Sequence, residues 1–585
     1  MRTLVYLTLA GAVGLGCGSV KENNTDGGGD VDAMNTDGGD DLDGPPPIDA
    51  PPAMHQVTVT VDVGSGGGAV TANVGGISCG TACTAQVLDG TPITFTASSA
   101  AGSAFSGWRD AAQSCGAAPT CMLTVDGAPL SVGARFAQQG TAAWATQLGG
   151  VGFEGNVHVA GDGQGNVYVA ASHTGEVVFD GTTFPAVGST DIIVAKLSPA
   201  GDVIWKRAIA GAGEHYSEGI AVVPQTGDLV MFGAYGANTS FGGATPLPLM
   251  SGDTKDFFVV KYAAGNGGLL WQRAIHADDA DDPGLGGVAV DGNGDIFVTG
   301  AFNTLVNLGD GNVTTTPGEQ ELFLGKLAGT DGAVVWKRKL GGAGSQIFAN
   351  DLTVDPNGFV YVAGSFSGTC NLGATNMTPS GPQDGFVGRF AGTTGALSWQ
   401  RQVGGTGSDS VATVAADVNG VVSMGVGYQA IVGENVTFAG QVLAGTGTGT
   451  EIVVGAVTSV NTFAWARRYG GNSTDQAIDL TVLADGTLAL TGYYSSATLA
   501  FGGTTLANSG QSDMFVAQLS PTTGAASWAG RINGTGFDVA ESVARAGNVL
   551  VVGGRFQSQI NALGKTLTSR GGYDVLVAAV PLSPP

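Results

Sequence analysis

DGAVVWKRKLGG, residues 331–342, is one of several near-copies of a tryptophan followed closely by a basic residue. The others are GDVIWKRAIAG (201–211), GGLLWQRAI (267–275), GALSWQRQVGG (395–405) and NTFAWARRYGG (461–471). Trp144, Trp205, Trp271, Trp336, Trp399, Trp465 and Trp528 recur at spacings of 61, 66, 65, 63, 66 and 63 residues. So long and regular a period marks a repeat architecture, and the content of one period decides which.

The period that starts at Trp271 reads LLWQRAI, a polar loop, GGVAVD, a DGNGD turn, IFVTGAF, a longer loop, and ELFLGKL. These are short apolar runs bounded by Gly, Asn or Asp, and none has helical length or period. Four short strands joined by hairpin turns describe one propeller blade. The second strand returns as NVYVAAS, DLVMFGAY, FVYVAGSF, TLALTGYY and VLVVGGRF. First strands are counted at Val157, Gly219, Gly287, Asp351, Thr413, Asp479 and Glu541. The last repeat, ending in DVLVAAVPL, has no tryptophan strand of its own, and an orphan one around Trp144 precedes the first. The sequence therefore predicts an all-β, seven-bladed β-propeller over 140–582. Its N-terminal strand should close the last blade and remove the open edges.

An acid opens the third strand of each repeat: Asp191, Asp256, Glu321, Asp384, Glu451, Asp513 and Asp574. Placing each acid and an arginine of the tryptophan strand at equal distance from the hairpin turn predicts six cross-strand ion pairs. They are Asp191–Arg207, Asp256–Arg273, Glu321–Arg338, Asp384–Arg401, Glu451–Arg467 and Asp513–Arg531. A feature that repeats this often is architecture, because catalytic groups are normally singular.

Glycine is 100 of 585 residues without a Gly-X-Y period, which excludes collagen. Only 12% of residues are charged and the net charge is −25. That balance lacks the basic footprint of a nucleic-acid binder. Arg2 and the apolar run Leu4–Leu15 read as an export signal, too short for a transmembrane helix. Between Glu22 and Met54 there are nine acids and no bases. Such a segment has too little apolar surface to fold, so residues 18–54 are expected to be a disordered acidic linker.

From about 55 to 138 the pattern changes to alternating strands (HQVTVTVDV, TPITFTA, LSVGARF) with Cys79, Cys83, Cys115 and Cys121. Four cysteines in an exported chain point to disulfides, and three pairings are possible. The expected one is local, Cys79–Cys83 with Cys115–Cys121. Zinc is disfavoured, since no CxxC knuckle or intervening histidine is present.

Three resemblances add to this reading. Gly14-Leu15-Gly16-Cys17 resembles the bacterial lipobox, with leucine one place nearer the cysteine than usual. That implies a signal peptide over 1–17, lipidation of Cys17 and an anchor in the cell envelope, at the outer membrane or cell surface. The segment GGISCGTACTAQVLDGTPITFTASSAAGSAFSGWRDAAQSC, closing in SVGARF, resembles the divergent internalin B-repeat family, which implies a spacer or adhesion module. The pattern GG-x-G-[DE], V-x-V-D, GN-[VI]-[YF]-V-x-G resembles the bacterial SBBP-type β-propeller repeat. TTGALSWQR is also similar to the repeats of pyrroloquinoline quinone propellers and BamB, but those have eight blades. This chain also has no adjacent cysteine pair to cover a quinone. Such families fix the fold more firmly than the activity.

Motifs for chemistry are sparse. His55, His158, His173, His215 and His276 form no HExxH and no pair at ligand spacing. There is no GxSxG elbow or Walker loop, and Cys370 stands alone. Asp278, Asp279, Asp281 and Asp282 replace the usual GGxG loop in one repeat and are candidate calcium ligands, with a solvated acidic loop as the default. Asp291, Asn293 and Asp295 lie in a hairpin turn that needs no metal. No cofactor is expected otherwise.

The functional expectation is a monomeric, non-enzymatic, surface-anchored binding or scaffold protein for a protein or glycan partner. Its contacts would come from the variable loops 234–255, 302–320 and 427–450. The alternatives are a lyase, hydrolase or quinoprotein acting at the central channel, and a BamB-like outer-membrane assembly factor.

Overall fold

The computed structural model describes residues 53–62, 68–80, 82–100, 103–112, 115, 119–138, 144–243, 245–250, 254–277, 286–315, 318–342, 344–429, 435–438, 441–444 and 449–581. Cys17, the 1–17 segment, residues 18–52 of the expected linker and the Asp278, Asp279, Asp281, Asp282 cluster lie outside them, while Met54 already begins a strand. Every regular element among the described residues is a β-strand.

Residues 54–138 form two four-stranded sheets. In one, Met54–Asp62 runs parallel to Leu130–Gln138, with Ala82–Leu88 and Ser103–Asp110 outside them. In the other, Gly68–Ala72 and Pro92–Ser99 lie between Ser78–Cys79 and Thr120–Thr124. The alternation read from the sequence turns Val57, Val59, Val70, Ile93, Phe95 and Val132 into a shared core, each with no exposed surface. Trp108 belongs to that core, with its ring 5.1 Å from Phe105 and 6.3 Å from Phe95.

From Trp144 onward the strands assemble into a propeller-like set of four-stranded antiparallel sheets, of which the described residues show seven. In chain order the inner strands are Glu154–Gly161, Tyr216–Val222, Gly286–Val290, Gln346–Val354, Asp409–Ala416, Asp475–Val482 and Val539–Ala546, which define sheets 1 to 7. Each inner strand touches the next, and the seventh touches the first, so they form a ring. Sheet 1 continues outward through Val167–His173, Asp191–Leu197 and Val203–Ile209. Sheet 7 takes its outer strand from the other end of this region. Trp144–Gly150 pairs with Asp574–Pro581, with Trp144 opposite Ala579.

The core lies between sheets. Second and third strands such as IFVTGAF and ELFLGKL are buried along their whole length, because both faces meet a neighbouring sheet. Each fully buried Val, Leu, Ile or Phe there contributes about 1.5–3 kcal/mol. The turns between inner and second strands are fastened by an aspartate. Asp355 Oδ1 accepts from the amides of Asn357 and Phe359, both at 2.9 Å, and Gly358 takes the required φ of +79°. In the equivalent turn of sheet 3, Lys326 bridges Asp291 at 3.2 Å and Asp295 at 2.9 Å.

The long connections between second and third strands reach back to the preceding sheet. Leu305–Asn307 pairs with the outer strand of sheet 2 through His276↔Asn307 and Ala277↔Val306. Ser240 bridges to Ala210, and Asn371 bridges to Gly341. Val177–Phe179 pairs with Trp144–Gly150, and Gln559–Ala562 pairs with the outer strand of sheet 6. The described parts of the loops 234–255 and 302–320 are thus partly committed to stitching neighbouring sheets together.

Candidate functional site: the channel belt and an aromatic sector

Three sets of side chains hold this ring together or stand apart from it. The first is the tryptophan motif. Six of the seven indole N–H groups cross to the next sheet and donate to a carbonyl in the turn between its third and outer strands. The pairs are Trp144–Pro199 (3.0 Å), Trp205–Ala264 (3.2 Å), Trp271–Gly329 (3.3 Å), Trp336–Gly392 (2.9 Å), Trp399–Ser459 (3.0 Å) and Trp465–Pro521 (2.6 Å). The arginine two places on reaches the same turn. Arg273 Nε donates to Asp331 O at 2.9 Å, Arg401 Nε to Asn461 Oδ1 at 2.7 Å and Arg467 Nε to Thr523 O at 2.6 Å. Arg338 donates to Thr394 O, and Arg207 packs beside the turn glycine Gly267.

This arrangement corrects the expected ion pairs. Arg207, Arg273, Arg338, Arg401 and Arg467 stand opposite Val194, Val259, Leu324, Val387 and Val454. Each partner is three residues beyond the acid, and an odd offset turns the side chain to the other face of the sheet. The hairpin turn is centred later than assumed. A bulge at the residue before each tryptophan (Ile204, Leu270, Val335, Ser398, Ala464, Ser527) shifts the register further. Only Asp513 and Arg531, of the six expected pairs, come within ion-pair distance, at 3.5 Å.

The residue three places after the tryptophan takes the role instead. Lys339 meets Glu321 at 2.7 Å, Arg468 binds Glu451, and Gln402 donates to Asp384. Asp191 lies 3.4 Å from His215, and Asp256 accepts from His276 at 2.8 Å. These acids also accept backbone amides of their loops: Val187 and Gly188 at Asp191, Met250 and Ala277 at Asp256, Ser380 at Asp384. The glycines after the tryptophan strand leave room for them. A Cβ on Gly404 would sit 2.5 Å from Asp384 Cγ, and one on Gly149 would sit 1.7 Å from Asp574 Oδ2. Across several sheet junctions a second buried acid faces the first. Burial and the Asp574 carboxylate push Glu154 up to about 7, and burial with Asp513 nearby pushes Asp538 up to about 7.

The second set lines the channel, a cavity of about 790 Å³ bounded by all seven inner strands. Six of those strands carry a bulge at the same level. The residue after the bulge reaches the next strand. Asp351 accepts from the Val414 amide at 2.8 Å, Thr413 from Leu480 at 3.1 Å, Asp479 from Val543 at 2.7 Å and Ser542 from Val159 at 3.2 Å. His158 Nε2 continues the belt to the Ser217 carbonyl at 3.0 Å. Sheets 2 and 3 carry glycine instead. A Cβ on Gly219 would sit 3.5 Å from Val288 N, and one on Gly287 would sit 3.2 Å from Leu352 N, so the strands approach directly. Thr413 Oγ1 lies 3.0 Å from Asp351 and 3.3 Å from Asp479. Burial raises Asp351, and burial with Asp351 nearby pushes Asp479 up to about 7. Burial lowers His158 to about 4, so its imidazole is neutral. Among the described residues no three His, Cys, Asp or Glu side chains are grouped as metal ligands.

The third set does not repeat. Phe153 and Tyr573 contact edge to face at 5.3 Å, and Tyr493 and Phe537 lie 5.5 Å apart. Between them Arg555 stands 5.7 Å from the Phe153 ring and 5.5 Å from the Tyr573 ring, and pairs with Glu541 of the channel wall. Tyr493 and Arg555 occupy positions filled by Ser172, Ala234, Ala301, Ser365 and Gly427 in sheets 1 to 5. Phe153 and Phe537 stand where Glu214, Gln346 and Ser408 make the same bridge in other sheets. Sequence reading passed over this cluster, although its signal was aromatic side chains at repeat positions that are not aromatic in the other described sheets.

In the N-terminal region, Cys79 lies against Cys83 and Cys115 against Cys121, with Cα separations of 5.8 and 5.6 Å, within the span of a disulfide. Cys370 is fully buried, and burial pushes its thiol up to about 12.

Comparison with known proteins agrees with this architecture. Residues 335–365 match the family described as Beta-propeller repeat, and residues 58–140 match the Divergent InlB B-repeat domain. The matched propeller repeat runs from the outer strand of sheet 3 through the second strand of sheet 4, so it contains both Trp336 and the belt residue Asp351. A WD repeat-containing protein, L264 of Acanthamoeba polyphaga mimivirus, is 27% identical over 200 residues, which cover 29% of this chain and only 14% of that protein. Among solved structures, BamB from Moraxella catarrhalis aligns at 13% identity and TM-score 0.32, covering 74% of this chain and all of that one (100%). The polysaccharide lyase Uly1 aligns at 11% identity and TM-score 0.38, covering 72% and 90%. The Pan2 WD40 domain of Neurospora crassa aligns at 10% identity and TM-score 0.35, covering 74% and 90%.

Proposed function

We propose that this is a non-enzymatic binding or scaffold protein of the bacterial cell envelope. In this reading the seven sheets are the blades of one seven-bladed propeller, and lipidated Cys17 anchors it through an acidic tether. Cys79–Cys83 and Cys115–Cys121 are disulfides of the N-terminal module, and the protein works as a monomer without a metal or cofactor. The observation that carries the proposal is the aromatic sector around sheet 7. Its aromatic side chains do not repeat in the other described sheets, and Phe153 is 42% exposed there. A rigid scaffold with a singular exposed patch is the arrangement of a recognition surface. The channel groups Asp351, Thr413, Asp479 and Ser542 are each engaged with the backbone of a neighbouring strand.

One observation favours a second reading, catalysis in the channel: Asp351 and Asp479 share Thr413, and Asp479 is pushed up to about 7, a protonation range suited to acid–base chemistry. Purified full-length protein assayed for turnover of polysaccharides, esters and dye-linked alcohols separates the two. The scaffold reading expects no turnover. Turnover abolished by Asp479→Asn in a protein that still folds overturns it.

A further inference from the structure

Within that scaffold reading, we infer that the sector formed by Phe153, Tyr493, Phe537, Arg555 and Tyr573 is a binding site for a neutral pyranose chain. Two aromatic pairs flank a guanidinium–carboxylate pair, and all five residues lie at the same end of their strands, where the GG-type loops join successive sheets. Aromatic faces beside hydrogen-bonding charges match the two surfaces of a sugar ring. Its C–H face packs on planar rings, and its hydroxyls bond to side-chain donors and acceptors. The donors and acceptors are at hand. The Arg555 side chain is 25% exposed and carries guanidinium donors, and Glu541, 13% exposed, supplies carboxylate oxygens at the same place.

Charge selects among sugars. The positive group at the cluster is already paired with Glu541, and the chain as a whole carries −25. A polyanionic glycan would meet an unfavourable field, whereas a neutral one would not. A closed apolar pocket would suit a hydrophobic peptide, but Phe153 is 42% exposed and the next residue but one outward, Val151, is 80% exposed. The site is thus an open platform at the edge of the channel, the form that suits an internal stretch of a polymer.

The test titrates the full-length protein with cellohexaose, mannohexaose, laminarihexaose and chitohexaose by calorimetry, with oligogalacturonate as the anionic comparison. At least one neutral hexasaccharide is expected to bind at least tenfold more tightly than oligogalacturonate. Phe153→Ser and Tyr493→Leu should each weaken it at least tenfold. The second substitution keeps apolar bulk and removes the planar face, so packing and stacking are told apart. Val335→Ser, on the outer strand of sheet 3, should leave binding unchanged. Unfolding temperatures of the variants verify that each is folded. Absence of binding by every neutral hexasaccharide, or binding that survives both substitutions, overturns the inference and leaves the scaffold reading standing. Cleavage of a hexasaccharide that both substitutions suppress would keep the sugar site and overturn the non-catalytic reading.

Discussion

Trp336 donates its indole hydrogen to the carbonyl of Gly392, 2.9 Å away on the next sheet, and the two are 56 residues apart in the chain. The contact explains why the tryptophan returns: it fixes the spacing of neighbouring sheets. The same turn presents Gly395 at φ +66° with its Cα under the indole, where a Cβ would fall 2.8 Å from the ring. Trp336→Phe keeps an aromatic ring but loses the donor, and should cost about 1 kcal/mol. Gly395→Ala meets both the backbone and the ring, and should cost about 1–3 kcal/mol. Hydrogen exchange in the outer strand Val334–Leu340 reads both, because the clasp lies at that strand.

Glu321 should couple to Lys339 and not to Arg338. A double-mutant cycle of Glu321→Gln with Lys339→Met is expected to give an interaction energy of about 0.5–3 kcal/mol. The cycle with Arg338→Met should give about zero, since Arg338 faces the opposite side and holds Thr394. Equal coupling in both cycles would restore the cross-strand pair read from the sequence.

Stability should fall as pH rises through neutrality. Glu154, Asp479 and Asp538 are each pushed up to about 7 in the folded chain, above the ordinary carboxylate range. The folded state therefore binds more protons than the unfolded state between about pH 4 and 7. The stabilisation is complete below the unfolded-state values and is lost as pH passes through 7. Thermal unfolding should occur several degrees lower at pH 8 than at pH 5.5. Glu154→Gln with Asp538→Asn should flatten that dependence; an unchanged slope in the double variant would show that other groups set it.

Cys370 should resist modification in the native protein. It has no exposed surface, and burial beside Glu321 pushes its thiol up to about 12, leaving little thiolate at pH 8. Mass spectrometry after iodoacetamide treatment should find its peptide unlabelled when folded and fully labelled in denaturant.

Gly404→Ala should destabilise the protein by about 1–3 kcal/mol, because the added methyl would meet the buried Asp384 carboxylate. Gly163→Ala is the comparison, since a Cβ there meets nothing within 4 Å. Chemical denaturation of both variants should separate them clearly.

What the sequence determined by itself was local and periodic. The 61–66-residue tryptophan spacing, the short apolar runs and the Asp-Gly turns identify strands, their count per repeat and the all-β propeller-like arrangement, because strand length, alternation and turn chemistry are written in neighbouring residues. The positions marked as first strands, among them Asp351, Thr413 and Asp479, proved to be the channel belt, though nothing local distinguished their bonds to the next strand. Partners were decided only by the tertiary structure. A bulge before the tryptophan and a later turn centre moved Arg207, Arg273, Arg338, Arg401 and Arg467 to the opposite face of their sheets, and a period of two makes such a slip reverse the contact. The aromatic sector also needed the closed ring. Phe153 and Tyr573 are 420 residues apart in the chain, and they meet because the strand from Trp144 completes the sheet that ends at Pro581.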